Sequence, residues 1–182
     1  MNNSWLIEEG RIIDPVTGQS QVGDLLILDG VIAPASSPKP ADLPRVQARG
    51  MVVTTGFIDL HVHLREPGGE EAETELSGAQ AAARGGFTTI VAMPNTRPPA
   101  DTPGQITRLR ELAERQPYVR VLPAGCITCG RAGRKLADLA ALAAAGAAAF
   151  TDDGATVPDE RLMEEAMVLA GSLRLPIMDH AL

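Results

Sequence analysis

From residue 56 onward, short apolar runs alternate with segments of helical periodicity, and the interval between them hardly varies. The runs FIDLHVH (57–63), TTIVAMP (88–94), VRVLPAG (119–125), AAAFTDD (147–153) and LPIMDH (175–180) end 31, 31, 28 and 27 residues apart, the length of one strand plus one helix. Between them, segments near 73–84, 102–115, 134–145 and 158–172 place apolar residues at helical spacing, among them Leu136, Leu139, Ala140 and Ala143, then Leu162, Ala166, Leu169 and Ala170. Thr102-Pro103 is a cap followed by a first-turn proline, Pro158-Asp159 suits another helix start, and Gly85-Gly86 suits a helix end. Strands that are apolar throughout are buried on both faces, which implies a parallel sheet covered by helices. An open doubly wound sheet and a (β/α)8 barrel both satisfy that pattern, and five strands are too few to close the barrel.

Residues 1–55 read differently. WLIEEGRII, GDLLILDGVIA and VQARGMVVT are short strand-like runs separated by turn chemistry at Asp14-Pro15 through Gly18 and at Asp29-Gly30, the latter a hairpin dipeptide. PASSPKPADLP (34–44) is an exposed loop by composition. The domain expectation is therefore a small β module over 1–55 and an α/β unit over 56–182. The chain is 45% apolar and 21% charged, which suits a globular protein. A net charge of −7 without a basic stripe argues against nucleic acid or an anionic membrane as partner. The start has no secretory pattern and no apolar run is long enough to span a bilayer, so the cytoplasm is the expected location. Cys126 and Cys129 form a C-x-x-C without two further ligands beside them, and read as ordinary loop residues.

All three histidines fall at the carboxyl ends of expected strands: His61 and His63 after the first, His180 after the fifth. Residues i and i+2 of a strand face one side, so His61 and His63 form a two-pronged grip for a zinc-like ion. The fourth run ends in Asp152-Asp153-Gly154, so a carboxylate can join the imidazoles where α/β proteins place their sites. Strand alternation sends the two aspartates to opposite faces, leaving one as a ligand. Arg65, two residues beyond His63, offers a planar fork for a carboxylate. Asp59 reads as a buried hydrogen-bonding partner. Glu70, Glu71, Glu73 and Glu75 read as a solvated loop and helix start, and Met163 and Met167 as core filler.

GFIDLHVHLREPG together with AARGGFTTIVAMPNTRP and AAAFTDDG resembles the dihydroorotase family of the amidohydrolase superfamily, and the likeness runs through essentially the whole chain. The resemblance implies the first five strands of a (β/α)8 barrel preceded by a β-sandwich segment, and a metal-dependent cyclic amidase interconverting N-carbamoyl-L-aspartate and dihydroorotate in pyrimidine synthesis. It implies that His61 and His63 bind one Zn2+, that His180 helps bind a second, and that an aspartate bridges the ions as in the bacterial class I enzymes; spacing to the histidines favours Asp153 over Asp152. Arg65 and Asn95 are then the substrate-carboxylate ligands. The implied chemistry is polarisation of the ring carbonyl and acidification of a water, with a carboxylate shuttling the proton. Expected partners are the small-molecule substrate, copies of the same chain in a homo-oligomer, and aspartate transcarbamoylase.

Family members continue for about as many residues again, carrying a further metal histidine and the general acid/base aspartate. The expectation is an N-terminal portion of a longer enzyme, inactive alone. The sequence also ends DHAL where relatives commonly have His-Cys-Glu, and has Thr55 where a proline often stands. The rival readings are an allantoinase or dihydropyrimidinase, disfavoured by the aspartate ending the fourth strand and by MPNTRP, and a catalytically silent homologue serving as a structural partner of aspartate transcarbamoylase.

Overall fold

A computed structural model describes residues 3–180. They divide into two compact units at the Thr55/Gly56 junction. No helix among the described residues is long and apolar enough to cross a membrane.

The first unit is a mixed sheet. Strands β1 (Trp5–Ile13), β2 (Ser20–Leu28) and β3 (Val31–Ile32) run antiparallel in sequence, while β4 (Arg45–Gln47) and β5 (Val52–Val53) both pair with β1 in parallel. The Asp29-Gly30 hairpin forms as expected, with both residues at positive φ (50° and 80°), the backbone such a two-residue turn requires. The ladder slips between Ile7 and Gly10, where Glu9 takes φ 59°, a bulge that re-aims the strand. Gly10 is required by packing: a Cβ there would lie 2.6 Å from Val53 Cγ2. The described residues of this unit supply one sheet layer, so the facing layer of the expected sandwich is not among them. Val22, Val31, Ile32 and Val52 are correspondingly exposed.

The second unit carries a four-stranded parallel sheet in the order β6 (Phe57–Val62), β7 (Phe87–Ala92), β8 (Arg120–Gly125), β9 (Ala149–Phe150). The connecting helices are α1 (Glu75–Arg84), α2 (Pro103–Ala113) and α3 (Leu139–Ala145), and α4 (Glu160–Ser172) follows β9. Side-chain oxygens of Thr74, Thr102, Asp138 and Asp159 cap the four helices, satisfying amides that helix geometry leaves without partners. In β7 the alternation buries both faces: Ile90 and Ala92 pack with Leu64 and Val121, and Val91 and Met93 pack with Ala124 and Ala149. The larger cluster lies under the helices, where Ile106, Leu139, Leu142 and Phe150 are fully enclosed.

Five expectations change in detail. The run 57–63 is not buried on both faces, because β6 is the edge of the described sheet; Phe57, Ile58 and Leu60 are more than half exposed. The fourth strand is only two residues long, and the fifth reduces to a single parallel bridge between Phe150 and Ile177. A two-residue partner offers no longer ladder, and the chain beyond it turns into the Asp152–Gly154 loop. Helix α3 starts at Leu139 and not near 134, because residues 128–136 close on themselves through a Thr128–Leu136 bridge and Asp138 then caps the helix. Met163 packs against the core, but Met167 is 60% exposed.

Candidate metal centre

β6 and β9 are the two outer strands of the four. In a flat sheet they would stand about 14 Å apart at the usual inter-strand spacing. Yet the residues just beyond them meet: Asp153 Oδ1 lies 2.9 Å from His61 Nε2, and Asp153 Oδ2 lies 3.4 Å from His63 Nε2. The sheet is therefore curled like part of a barrel wall, with its carboxyl edge drawn into a mouth. His180, three residues past the Phe150–Ile177 bridge, places Nδ1 3.3 Å from Asp153 Oδ1. The Asp153 side chain is 3% exposed, against 49%, 28% and 38% for His61, His63 and His180. A buried carboxylate is thus surrounded by three more accessible imidazoles.

Asn95, just beyond β7, fixes the chemistry of this cluster. Its Nδ2 donates to Asp153 Oδ2 at 3.0 Å, since a carboxylate accepts only. Its Oδ1 then faces His63 Nδ1 at 3.0 Å and must accept, so His63 carries its proton on Nδ1. In a neutral ring this leaves a lone pair on His63 Nε2, pointing at an Asp153 oxygen that also carries lone pairs. Such an arrangement calls for a cation between them. The ligating atoms of His61, His63 and Asp153 all lie within 4.8 Å of one another, and two imidazole nitrogens with a carboxylate oxygen suit zinc and similar ions. The donor set therefore fits a divalent metal.

The neighbouring aspartate is spent elsewhere. Asp152, 2% exposed, accepts at Oδ1 from the amides of Ile127 and Thr128 at 2.9 and 3.0 Å, and at Oδ2 from the Thr128 hydroxyl. The two aspartates thus face different partners, Asp152 the loop after β8 and Asp153 the histidines. Asp59 is half-buried and accepts from the His61 amide at 3.0 Å, holding the strand end that presents the imidazole.

Arg65 does not touch the histidine cluster in the contacts above. It is exposed, adopts φ 59°, and lines a cavity of about 280 Å³ with Asn95, Pro67, Thr96 and Arg97. Arg97 went unremarked in the sequence although it lies within MPNTRP; its signal was a second cation two residues past Asn95. The acidic stretch also differs from expectation. Glu70 and Glu71 are exposed, but Glu75 is only 4% exposed, and burial together with the nearby Glu66 carboxylate raises its pKa to about 7. Cys126 is buried and Cys129 exposed; burial also pushes the Cys126 thiol well up from its usual range. Ala181 and Leu182, where the sequence departs from the His-Cys-Glu pattern, lie outside the described residues.

The curled α/β unit has a fold seen in hydantoinases. In fold, the chain is similar to an L-hydantoinase (dihydropyrimidinase) from Arthrobacter aurescens, with TM-score 0.79 at 21% identity over all of this chain and 41% of that one. The dihydro-orotase-like family matches residues 50–182, and the chain belongs to that family. It is 48% identical to a dihydroorotase of Solibacter usitatus and 42% identical to one of Aquifex aeolicus, in each case over 96% of this chain. The chain spans about two fifths of the length of these curated relatives, 41% and 42% respectively.

Proposed function

We propose that this chain is the N-terminal part of a class I bacterial dihydroorotase, a zinc-dependent cyclic amidase that interconverts N-carbamoyl-L-aspartate and dihydroorotate in the cytoplasm. The observation that carries this reading is the Asp153 carboxylate lying among His61, His63 and His180 in a chain whose relatives bear that name. His61, His63 and Asp153 would hold a divalent ion, with His180 beside Asp153 placed to contribute to the same centre. Bound zinc supplies Lewis acidity at the ring carbonyl and a nucleophile usable at neutral pH. Arg65 takes the substrate carboxylate in parallel bonds from its planar fork. Asn95 directs its second amide hydrogen to the same group while its first remains on Asp153. Arg97, lining the same cavity, adds to the field that draws an anionic substrate in. The remaining strands close the barrel over the exposed apolar edge at Phe57, Ile58 and Leu60, and a second sheet layer covers the first unit to complete a sandwich. The assembled enzyme forms a homo-oligomer.

The retention of the histidines and Asp153 favours an enzyme over a silent partner of aspartate transcarbamoylase. The deciding experiment uses the full-length protein. Dihydroorotate hydrolysis should vanish on chelation and return with zinc, while the 182-residue chain alone should turn over nothing. A full-length protein with neither retained metal nor turnover would move the reading to the scaffold.

A further inference from the structure

The loop after β8 and the loop after β9 are tied together by one side chain that the metal cluster itself does not use. Arg131 donates from Nη2 to the Asp153 carbonyl, and directs Nε and Nη2 at the Asp152 carbonyl, each 3.4 Å away. The ends of both loops are otherwise held by Asp152, through the Ile127 and Thr128 amides and the Thr128 hydroxyl. The same hydroxyl accepts from the Gly133 amide at 2.9 Å, and the Gly130 amide donates to Asp101 Oδ2 at 2.7 Å. This bonding holds Gly130 and Arg131 at φ 61° and 57°, a left-handed backbone that a residue with a side chain resists unless its surroundings impose it. Space for the guanidinium is left on the other side by Gly154: a Cβ there would stand 3.2 Å from Arg131 Nη2.

We infer that Arg131 is a positioning residue for Asp153. Its planar fork clamps the two carbonyls on either side of the Asp153 Cα, so the backbone that presents the Asp153 carboxylate to the imidazoles is held in place. The inference rests on the reading of that cluster as a metal centre. It also has a built-in contrast. A half-buried guanidinium that acted only through its charge would repel a nearby cation, and its removal would tighten metal binding. A guanidinium that acts by positioning has the opposite effect.

The test uses the full-length protein, with Co2+ as a coloured probe, in three forms: unaltered, Arg131→Gln and Arg131→Lys. Arg131→Gln should weaken Co2+ binding about tenfold, the lower range for loss of an outer partner of a metal ligand. It should also shift the visible Co2+ absorption and lower kcat with KM little changed. Arg131→Lys, which keeps the charge and one donor, should recover part of each effect. Should Arg131→Gln prove insoluble, Thr128→Val, which loosens Asp152 in the same clamp, carries the same expectations. Unchanged or tighter Co2+ binding with an unshifted spectrum, even alongside a lowered melting temperature, would overturn the inference and leave Arg131 a loop brace. Failure of the unaltered protein to bind Co2+ would instead overturn the metal-centre reading beneath it.

Discussion

Two pairs of neighbouring carboxyl groups sit in the α/β unit, one at the carboxyl edge of the sheet and one beside the start of α1, and they are solvated by the protein in opposite ways. Asp152 and Asp153 are each 2% exposed, yet every oxygen of the pair has a partner: backbone amides and a hydroxyl for the first, imidazoles and the Asn95 amide for the second. Glu75 is as deeply placed at 4% exposure, and its Oε2 is a buried oxygen without a hydrogen-bond partner among the described residues. The nearby Glu66 carboxylate accepts from the Glu75 amide, not from its side chain. The lesson is that burial alone does not mark a functional carboxylate. Water has to be replaced, and a buried oxygen left without a replacement, as at Glu75, carries the cost of desolvation.

The strongest way to break this comparison is to remove the functional member of the first pair. Asp153→Ala should abolish Zn2+ binding in the full-length protein, an effect beyond the roughly 100-fold that loss of an outer partner can produce. Metal content by elemental analysis and Co2+ titration both read it. Retained stoichiometric metal would sink the assignment of Asp153 as a ligand. Asp152→Ala should leave metal bound, weakened by no more than about tenfold through the loosened clamp, and lower stability by about 3 kcal/mol, since two buried amides and a hydroxyl lose their acceptor. Chemical denaturation measures that loss. If Asp152→Ala instead removed the metal at unchanged stability, the division of labour between the two aspartates would be reversed.

How far this was legible in the sequence follows from the range of each interaction. The strand and helix alternation after residue 56 is local, and so are the caps at Thr102 and Asp159; the caps formed where the pattern placed them, and the alternation did so except at the short β9, the single bridge of the fifth run and the late start of α3. Asp152 and Asp153 face apart as the alternation expects, although both lie past β9, so their separation is set by the loop that wraps Asp152. The partners of Asp152, by contrast, lie 24 and 25 residues away, and nothing in ITCGR announces a loop that will wrap an aspartate. That wrapping is why α3 starts late. Glu75 misleads for the same reason. Read locally, a glutamate in the first turn of a helix is a solvated charge suited to the dipole; its burial depends on Leu112 and Gln116 at and beyond the end of α2, which line the same recess. The parallel pairing of β4 and β5 with β1 is likewise a long-range choice that short apolar runs do not encode.

The smallest expected effect concerns the second pair and turns on its sign. Glu75 has a folded-state pKa of about 7 against an ordinary 4.5, raised first by desolvation and then by Glu66. Between these values the native state holds a proton that the unfolded chain has released, so stability must fall as pH rises through that window. Below pH 4.5 both states are protonated and the penalty is absent; above pH 7 it is present in full. A shift of this size corresponds to a destabilisation of about 1–3 kcal/mol at pH 8. Glu75→Gln cannot ionise, so its stability curve should converge with that of the unaltered protein near pH 4.5 and lie above it by about that amount at pH 8. Denaturant midpoints across pH 4.5–8 make the comparison without reference to the metal centre. Parallel curves would mean that Glu75 finds a partner after all, and the contrast between the two carboxyl pairs would then lose its second half.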